Sequence, residues 1–200
     1  LPGVKLKLLG SHQAENAALA AAAARALQRR GWPIPDEAIR RGLESVTVPG
    51  RLEVVRRSPL TLVDGAHSPP KMAALTSALR AIFPGVPIAA LLASKRGHDT
   101  RATLEKLAPL LSVAVVTEYD ASADFGPHSA VEAKELARQL KEAHGPNVIA
   151  VERDAERALD LAMALTPPEG ALLVTGSLYL VGQVRSRLME QAAHSTSIGS

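Results

Sequence analysis

Several side chains suited to holding an anion and moving its protons each fall just after a short apolar run. Asp64 and His67 follow Leu60-Thr61-Leu62-Val63, Ser94 and Lys95 follow a run from Ile88, Glu118 follows a run from Val113, and Ser177 follows Leu172-Leu173-Val174-Thr175-Gly176. In a parallel sheet the carboxyl ends of the strands share one edge, so residues distant in sequence converge there. Helices expected to open at Ser68 and Ser177 would add unpaired N–H groups and partial positive charge at that edge. A carboxylate or phosphate site is the chemistry that follows. Arg51 stands in Pro49-Gly50-Arg51-Leu52-Glu53, a second informative segment shortly before Asp64. Each residue also has a plain reading: Asp64-Gly65 as a turn, His67 as a local hydrogen-bonder, Ser177 as a helix cap, Arg51 as surface. Gly176-Ser177-Leu178 lacks the second flanking glycine of a nucleophile elbow, which argues against a serine hydrolase. Six histidines without paired carboxylates argue against a metal site in this chain.

The elements that must position these residues are marked along the chain. From Leu52 onward, strand and helix patterns alternate, which predicts an α/β fold with a doubly wound, mostly parallel sheet. Strands are expected at 52–55, 60–63, 88–93, 113–117, 148–151 and 172–175. Between them Met72, Leu75, Leu79 and Ile82 share one helical face, as do Leu104, Leu107 and Leu111, then Ala133, Leu136 and Leu140, then Ala158, Leu161 and Leu165. Ser68 before Pro69, Ser129 with Glu132 at capping-box spacing, and Asp154 mark helix starts, and a last helix is expected from about Ser177 to Met189. Upstream, the alternation of residues 4–8 predicts a half-buried strand, residues 16–30 an alanine-rich helix, and residues 35–44 a second short helix. Residues 191–200 are polar and serine-rich, and read as a disordered tail.

Composition narrows the function. The chain has 200 residues, 46% of them hydrophobic but only 2% aromatic, enough for one substantial aliphatic core and poor in the rings on which nucleic-acid bases stack. Lysine and arginine number 23 against 20 acids, a mild bias toward small anions. There is no cysteine, which excludes disulfides and thiolate chemistry. No apolar run approaches the roughly 20 residues a bilayer demands, so a soluble, cytoplasmic protein with neither nucleic-acid nor membrane partner is expected.

Four segments, in order, resemble folylpolyglutamate synthase/dihydrofolate synthase, a family of the Mur ligase superfamily. His12-Gln13-Ala14-Glu15-Asn16-Ala17-Ala18 is similar to the H-Q-x-x-N-A helix that closes the family's N-terminal ATPase domain. Pro49-Gly50-Arg51-Leu52-Glu53 matches its P-G-R-x-E segment, Asp64-Gly65-Ala66-His67-Ser68 its D-G-A-H-N, and Thr175-Gly176-Ser177-Leu178-Tyr179 its closing T-G-S-L-Y. The resemblance implies the C-terminal portion of such an enzyme. Residues 1–48 would be the closing strand and helices of the P-loop ATPase domain plus linker, and residues 49–190 a Rossmann-like C-terminal ligase domain.

The implied activity is ATP-dependent addition of L-glutamate to a folate or to dihydropteroate through an acyl phosphate. By position, Asn16, Arg51 and Asp64 would contact ATP, with Arg51 on the phosphates and Asp64 on the ribose. Arg51 and His67 would be catalytic, and His67 and Ser177 would hold glutamate. ATP and Mg2+ are the implied cofactors. The phosphate loop G-x-x-x-x-G-K-[ST] and the family's metal ligands are absent from this sequence, so an ATPase domain is the implied partner, and the chain alone is expected to be inactive. Ser68 stands where the family has asparagine, and Ser94-Lys95-Arg96-Gly97-His98-Asp99 replaces a compact D-K-D loop. Two rival readings are a peptidoglycan Mur ligase of the same fold and a non-catalytic α/β module that binds an anion or a partner.

Overall fold

A computed structural model of the chain describes residues 2–121 and 129–197. The strands are β1 (Glu53–Arg57), β2 (Leu60–Val63), β3 (Ile88–Leu92), β4 (Leu111–Val116), β5 (Val148–Val151) and β6 (Ala171–Thr175). The helices are α1 (Ser11–Arg29), α2 (Asp36–Ser45), α3 (Pro69–Ile82), α4 (Thr100–Leu107), α5 (Ala133–Glu142), α6 (Ala155–Leu165) and α7 (Leu178–Ser197).

The strands form one sheet in the order β1-β2-β6-β3-β4-β5. β1 pairs with β2 as an antiparallel hairpin, and every other pairing is parallel. The doubly wound, mostly parallel sheet predicted from the sequence is therefore the one observed. Central strands β3 and β6 are buried at all positions, as unbroken apolar runs require when helices cover both faces. Alternation along the strands divides the core in two. Leu62, Leu92, Val116 and Leu173 pack with Met72, Leu79, Leu107, Leu136 and Leu140 on the face covered by α3, α4 and α5. Their neighbours Val63, Leu91, Val115, Leu172 and Val174 turn to the opposite face, against Leu159 of α6 and Leu180, Val184 and Leu188 of α7.

Four local expectations are corrected. Residues 4–8 form no strand: their alternation is real, but no described segment pairs with them in a ladder, and a lone strand has nothing to satisfy its backbone groups. α1 starts at Ser11, earlier than its alanine run, because Gly10 at φ +100 turns the chain into the helix. Ser129 does not cap α5. The cap position is Glu132, the Ala133 N–H donates to Glu118 Oε1 at 3.2 Å, and Ser129 lies beside a bridge between Lys95 and Ala130. Finally α7 continues to Ser197, so most of the expected disordered tail has helical backbone, and residues 198–200 lie outside the described residues.

Asp154 does cap α6, accepting from the Arg157 N–H at 2.8 Å. Ser68 occupies the cap position of α3, with Pro69 first in the helix, but its side chain makes no capping bond. Helices α1 and α2 pack on each other, leaving Leu19 72% and Trp32 61% exposed. No helix among the described residues is long and apolar enough to cross a membrane.

Candidate functional site

The loop before β1 and the loop after β2 are tied into one unit by Asp64. Its Oδ2 accepts from the Leu52 N–H at 2.8 Å and its Oδ1 from the Ala66 N–H at 2.7 Å. Gly65 N–H reaches the Gly50 carbonyl at 2.9 Å, and Gly50 N–H reaches Glu53 Oε2, also at 2.9 Å. This bracing holds Leu52 at φ +41, in the left-handed region that costs a leucine about 1–2 kcal/mol. Burial pushes the Asp64 carboxyl above its ordinary range, although the Leu52 and Ala66 N–H groups and the charges of Arg51 and His12 pull it back. Arg185 of α7 grips Glu53 through two hydrogen bonds, at 2.6 and 2.9 Å, and holds that carboxyl below the ordinary range.

Two glycines permit the close approaches. A Cβ on Gly65 would lie 2.2 Å from Leu178 Cδ2 and 3.2 Å from Arg51 Nη1, so the Arg51 guanidinium passes directly over Gly65. Gly176, at φ +91, brings its Cα so near β3 that a Cβ would sit 2.2 Å from the Ala93 carbonyl oxygen.

Against this braced unit packs the start of α1, and the two enclose a cleft of about 250 Å³. His12, Gln13, Asn16, Arg51, Asp64, Ala66 and Lys71 line it. Asn16 donates to Gln13 Oε1 at 3.2 Å, and Gln13 Nε2 lies 3.1 Å from His12 Nε2. His12 Nδ1 is buried with no hydrogen-bond partner among the described residues. Three residues expected to contact a nucleotide, Asn16, Arg51 and Asp64, are thus brought together from three separate segments.

His67 adjoins the cleft rather than lining it. Its Nδ1 lies 2.7 Å from the Gly65 carbonyl, which only accepts, and its Nε2 lies 3.0 Å from Lys71 Nζ, which only donates. The ring therefore carries its proton on Nδ1 and is neutral. Burial holds its pKa below the ordinary histidine value, and the nearby Lys71, His98 and Arg51 add to that, against the raising effect of the Gly65 bond. His98 stacks on it with ring centroids 5.2 Å apart and donates from Nδ1 to the His67 carbonyl at 3.1 Å. Ser177 lies on the neighbouring strand end, because β6 pairs with β2. It is 3% exposed, its Oγ accepts from the Tyr179 N–H at 3.1 Å, and it does not line the cleft.

Sequence reasoning assigned no role to His12, Gln13, Lys71 or His98. The spacing of His67 and Lys71, four residues apart across a helix start, was the one available signal for their contact.

A larger hollow of about 650 Å³ lies between the loop before α4 and helix α5. Its arginines are already neutralised: Arg96 pairs with Glu132, Arg101 with Glu105, and Arg138 with Glu135 and Glu142. It lacks the uncommitted charge of the smaller cleft. Among the described residues no three His, Asp or Glu side chains are grouped to hold a metal ion.

Comparison with known proteins accords with this arrangement. The family model described as Mur ligase, glutamate ligase domain, matches residues 50–178. The folylpolyglutamate synthase of Lacticaseibacillus casei is 30% identical over 189 residues, covering 93% of this chain and 40% of the relative. A solved structure of Mycobacterium tuberculosis folylpolyglutamate synthase complexed with ADP superposes with a TM-score of 0.81 at 30% identity, covering 92% of this chain and 42% of that one. The UDP-N-acetylmuramate–L-alanine ligase of Delftia acidovorans is 31% identical over 199 residues, covering 94% of this chain and 40% of the relative. The chain thus spans about two fifths of the length of these relatives.

Proposed function

This chain belongs to the Mur ligase family through its glutamate ligase domain, and from that premise we propose that it is the C-terminal part of an ATP-dependent ligase joining L-glutamate to a folate or to dihydropteroate. The observation that carries the reading is the cleft that gathers Asn16, Arg51 and Asp64 beside a buried, unpartnered His12 Nδ1. Residues 1–48 contribute the His12 to Asn16 wall as the closing part of an ATPase domain plus linker, and residues 49–190 contribute the Arg51 and Asp64 wall as the ligase domain. Exposed Leu19 and Trp32 are consistent with further packing of α1 and α2 against the rest of such an ATPase domain.

ATP supplies the phosphoryl group that converts the acceptor carboxylate into an acyl phosphate, and the glutamate amine attacks its acyl carbon and displaces phosphate. Arg51 neutralises phosphoryl oxygens during transfer, a task suited to a delocalised, permanently charged group. Asn16 contacts the nucleotide from the α1 wall. Asp64 accepts from the ribose with the lone pairs left over from Leu52 and Ala66, since a carboxylate offers about four acceptor sites. His67 and Ser177, on adjacent strand ends, hold the incoming glutamate. Mg2+ would be held by the partner ATPase domain, and no step here passes through it. The cytoplasm, where ATP and glutamate are abundant, is the compartment this reaction suits.

The similarity to the peptidoglycan ligase supports a second reading, in which the acceptor is a UDP-linked sugar acid. Phosphate release in the intact ligase with ATP, glutamate and dihydropteroate or a folate tests the first reading. Release only with a UDP-muramoyl acceptor and another amino acid would establish the second. The absence of phosphate release with either acceptor set would leave a non-catalytic anion-binding module. Arg51→Ala should lower turnover roughly 10²–10³-fold, and unchanged turnover would remove Arg51 from the chemistry.

A further inference from the structure

We infer that Lys71 is a positioning residue that keeps the Nε2 lone pair of His67 occupied and exchanges that bond for a phosphate or carboxylate anion entering the cleft. The inference rests on the nucleotide and glutamate reading above and adds a switch to it.

Lys71 stands in the first turn of α3, four residues after His67, and belongs to both arrangements: it lines the cleft with Arg51 and Asp64, and its Nζ lies 3.0 Å from His67 Nε2. Among the described residues no carboxylate pairs with it. The one acid in the cleft lining, Asp64, already accepts from two backbone N–H groups. Arg51 and Lys71 therefore leave the cleft with more positive than negative charge, and the ammonium is satisfied only by a neutral ring.

An anion is a stronger partner for an ammonium than an imidazole is, because both ends of that hydrogen bond carry charge. Lysine has a flexible four-carbon stem, so the transfer requires no backbone movement. His67 stays in place when Lys71 leaves, because Nδ1–H is held by the Gly65 carbonyl and the ring by His98. Nε2 is then a free acceptor. It takes one proton from the ammonium of the incoming amino acid, becoming imidazolium; the amine so formed attacks the acyl carbon, the bond from that carbon to the phosphate oxygen breaks, and the departing phosphate carries away the nitrogen's second proton as hydrogen phosphate. The charged groups facing His67 are Lys71 from α3, His98 from the loop after β3 and Arg51 from the loop before β1. Withdrawing Lys71 removes one positive neighbour at the moment the ring must take a proton.

Long-range proton–nitrogen NMR of the histidine rings in the chain tests this, with His67→Phe giving the assignment. In the wild type, His67 should show a protonated Nδ1 and an Nε2 shifted by an accepted bond. Lys71→Met should move Nε2 to the position of a free acceptor and raise the His67 titration midpoint by about half a unit to one unit, the scale of one nearby charge. Lys71→Arg should restore most of both shifts. An unchanged midpoint and Nε2 position in Lys71→Met would overturn the pairing, whatever the ligand does.

Adding ADP to the intact ligase should move Nε2 of His67 to its Lys71→Met position and should leave Nε2 unmoved in the intact ligase carrying Lys71→Met. Amide shifts at Asn16 and Arg51 with an unmoved His67 would overturn the release while preserving the nucleotide reading. The absence of amide shifts at Asn16 and Arg51 would overturn that reading and the release with it, leaving the pairing decided by Lys71→Met alone.

Discussion

Replacing Asp64 by Asn keeps the size of the side chain and removes one of its two acceptor oxygens. The carboxylate holds the Leu52 N–H at 2.8 Å and the Ala66 N–H at 2.7 Å. An amide can satisfy one and must present its own N–H to the other. Orphaning a buried N–H costs about 1–3 kcal/mol, and the surviving bond loses its charge assistance, about another 0.5–1 kcal/mol. Relief works in the opposite direction, because burial disfavours the ionised carboxylate and raises its pKa. The net expectation is a loss of about 2 kcal/mol at pH 7, read from the midpoint of urea unfolding at constant m-value.

The sign of the pH dependence is fixed as well. A carboxyl whose folded pKa lies above its unfolded value binds its proton more readily in the folded state, so the wild type gains stability as pH falls through the folded value while the non-titrating amide gains none. The gap between wild type and Asp64→Asn should therefore widen between pH 7 and pH 4. A cost below about 0.5 kcal/mol, or a gap unchanged over that range, would refute the bracing role.

Gly65→Ala should cost about 1–3 kcal/mol by overpacking, since its Cβ would meet Leu178 at 2.2 Å. Leu178→Ala in the same chain should recover most of that loss, and additive losses in the double variant would show that the contact is not the cause. The Glu53–Arg185 pair, with Glu53 held below its ordinary range, should stabilise the chain above pH 4.5 and cease to do so as pH falls through the lowered value. Glu53→Gln should remove that pH-dependent component, about 1 kcal/mol or less in a partly solvated pair, in acid-titrated unfolding.

The sheet was legible because its inner strands are short runs rich in Leu, Val, Ile and Ala between turn residues, and the helix faces repeat at helical spacing. The alternation of residues 4–8 was equally clear, yet a strand is a property of a pair, and the sequence of one member does not reveal its partner. Ser129 failed as a cap for a related reason: the helix opens later, at Ala133, where Glu118, distant in sequence, accepts from the first helical N–H. At the site, the grouping of Asn16, Arg51 and Asp64 was legible from the resemblance, and the fold brings the three to one cleft. That both Asp64 oxygens brace backbone amides was not legible, nor was the pairing of His67 with Lys71, because each depends on which atoms a turn points inward. Ser177 was placed at the right strand end, with a more enclosed hydroxyl than its position alone suggested.

β6 is the last strand to be synthesised and lies in the middle of the sheet, between β2 and β3. Leu60 cannot find Ala171, its partner across the ladder, until the chain has grown past it. At about 5–20 residues per second, that interval is roughly 5–20 s of translation. Throughout it β2, with Asp64 at its end, and β3 each present an open edge, the kind of surface that recruits chaperones or a stray strand. The setting of the cleft beside Asp64 is thus completed late in the life of the nascent chain, and a ribosome stalled before Ala171 would release a protein that has its Asp64-Gly65-Ala66-His67 loop without the β6 strand that β2 pairs with.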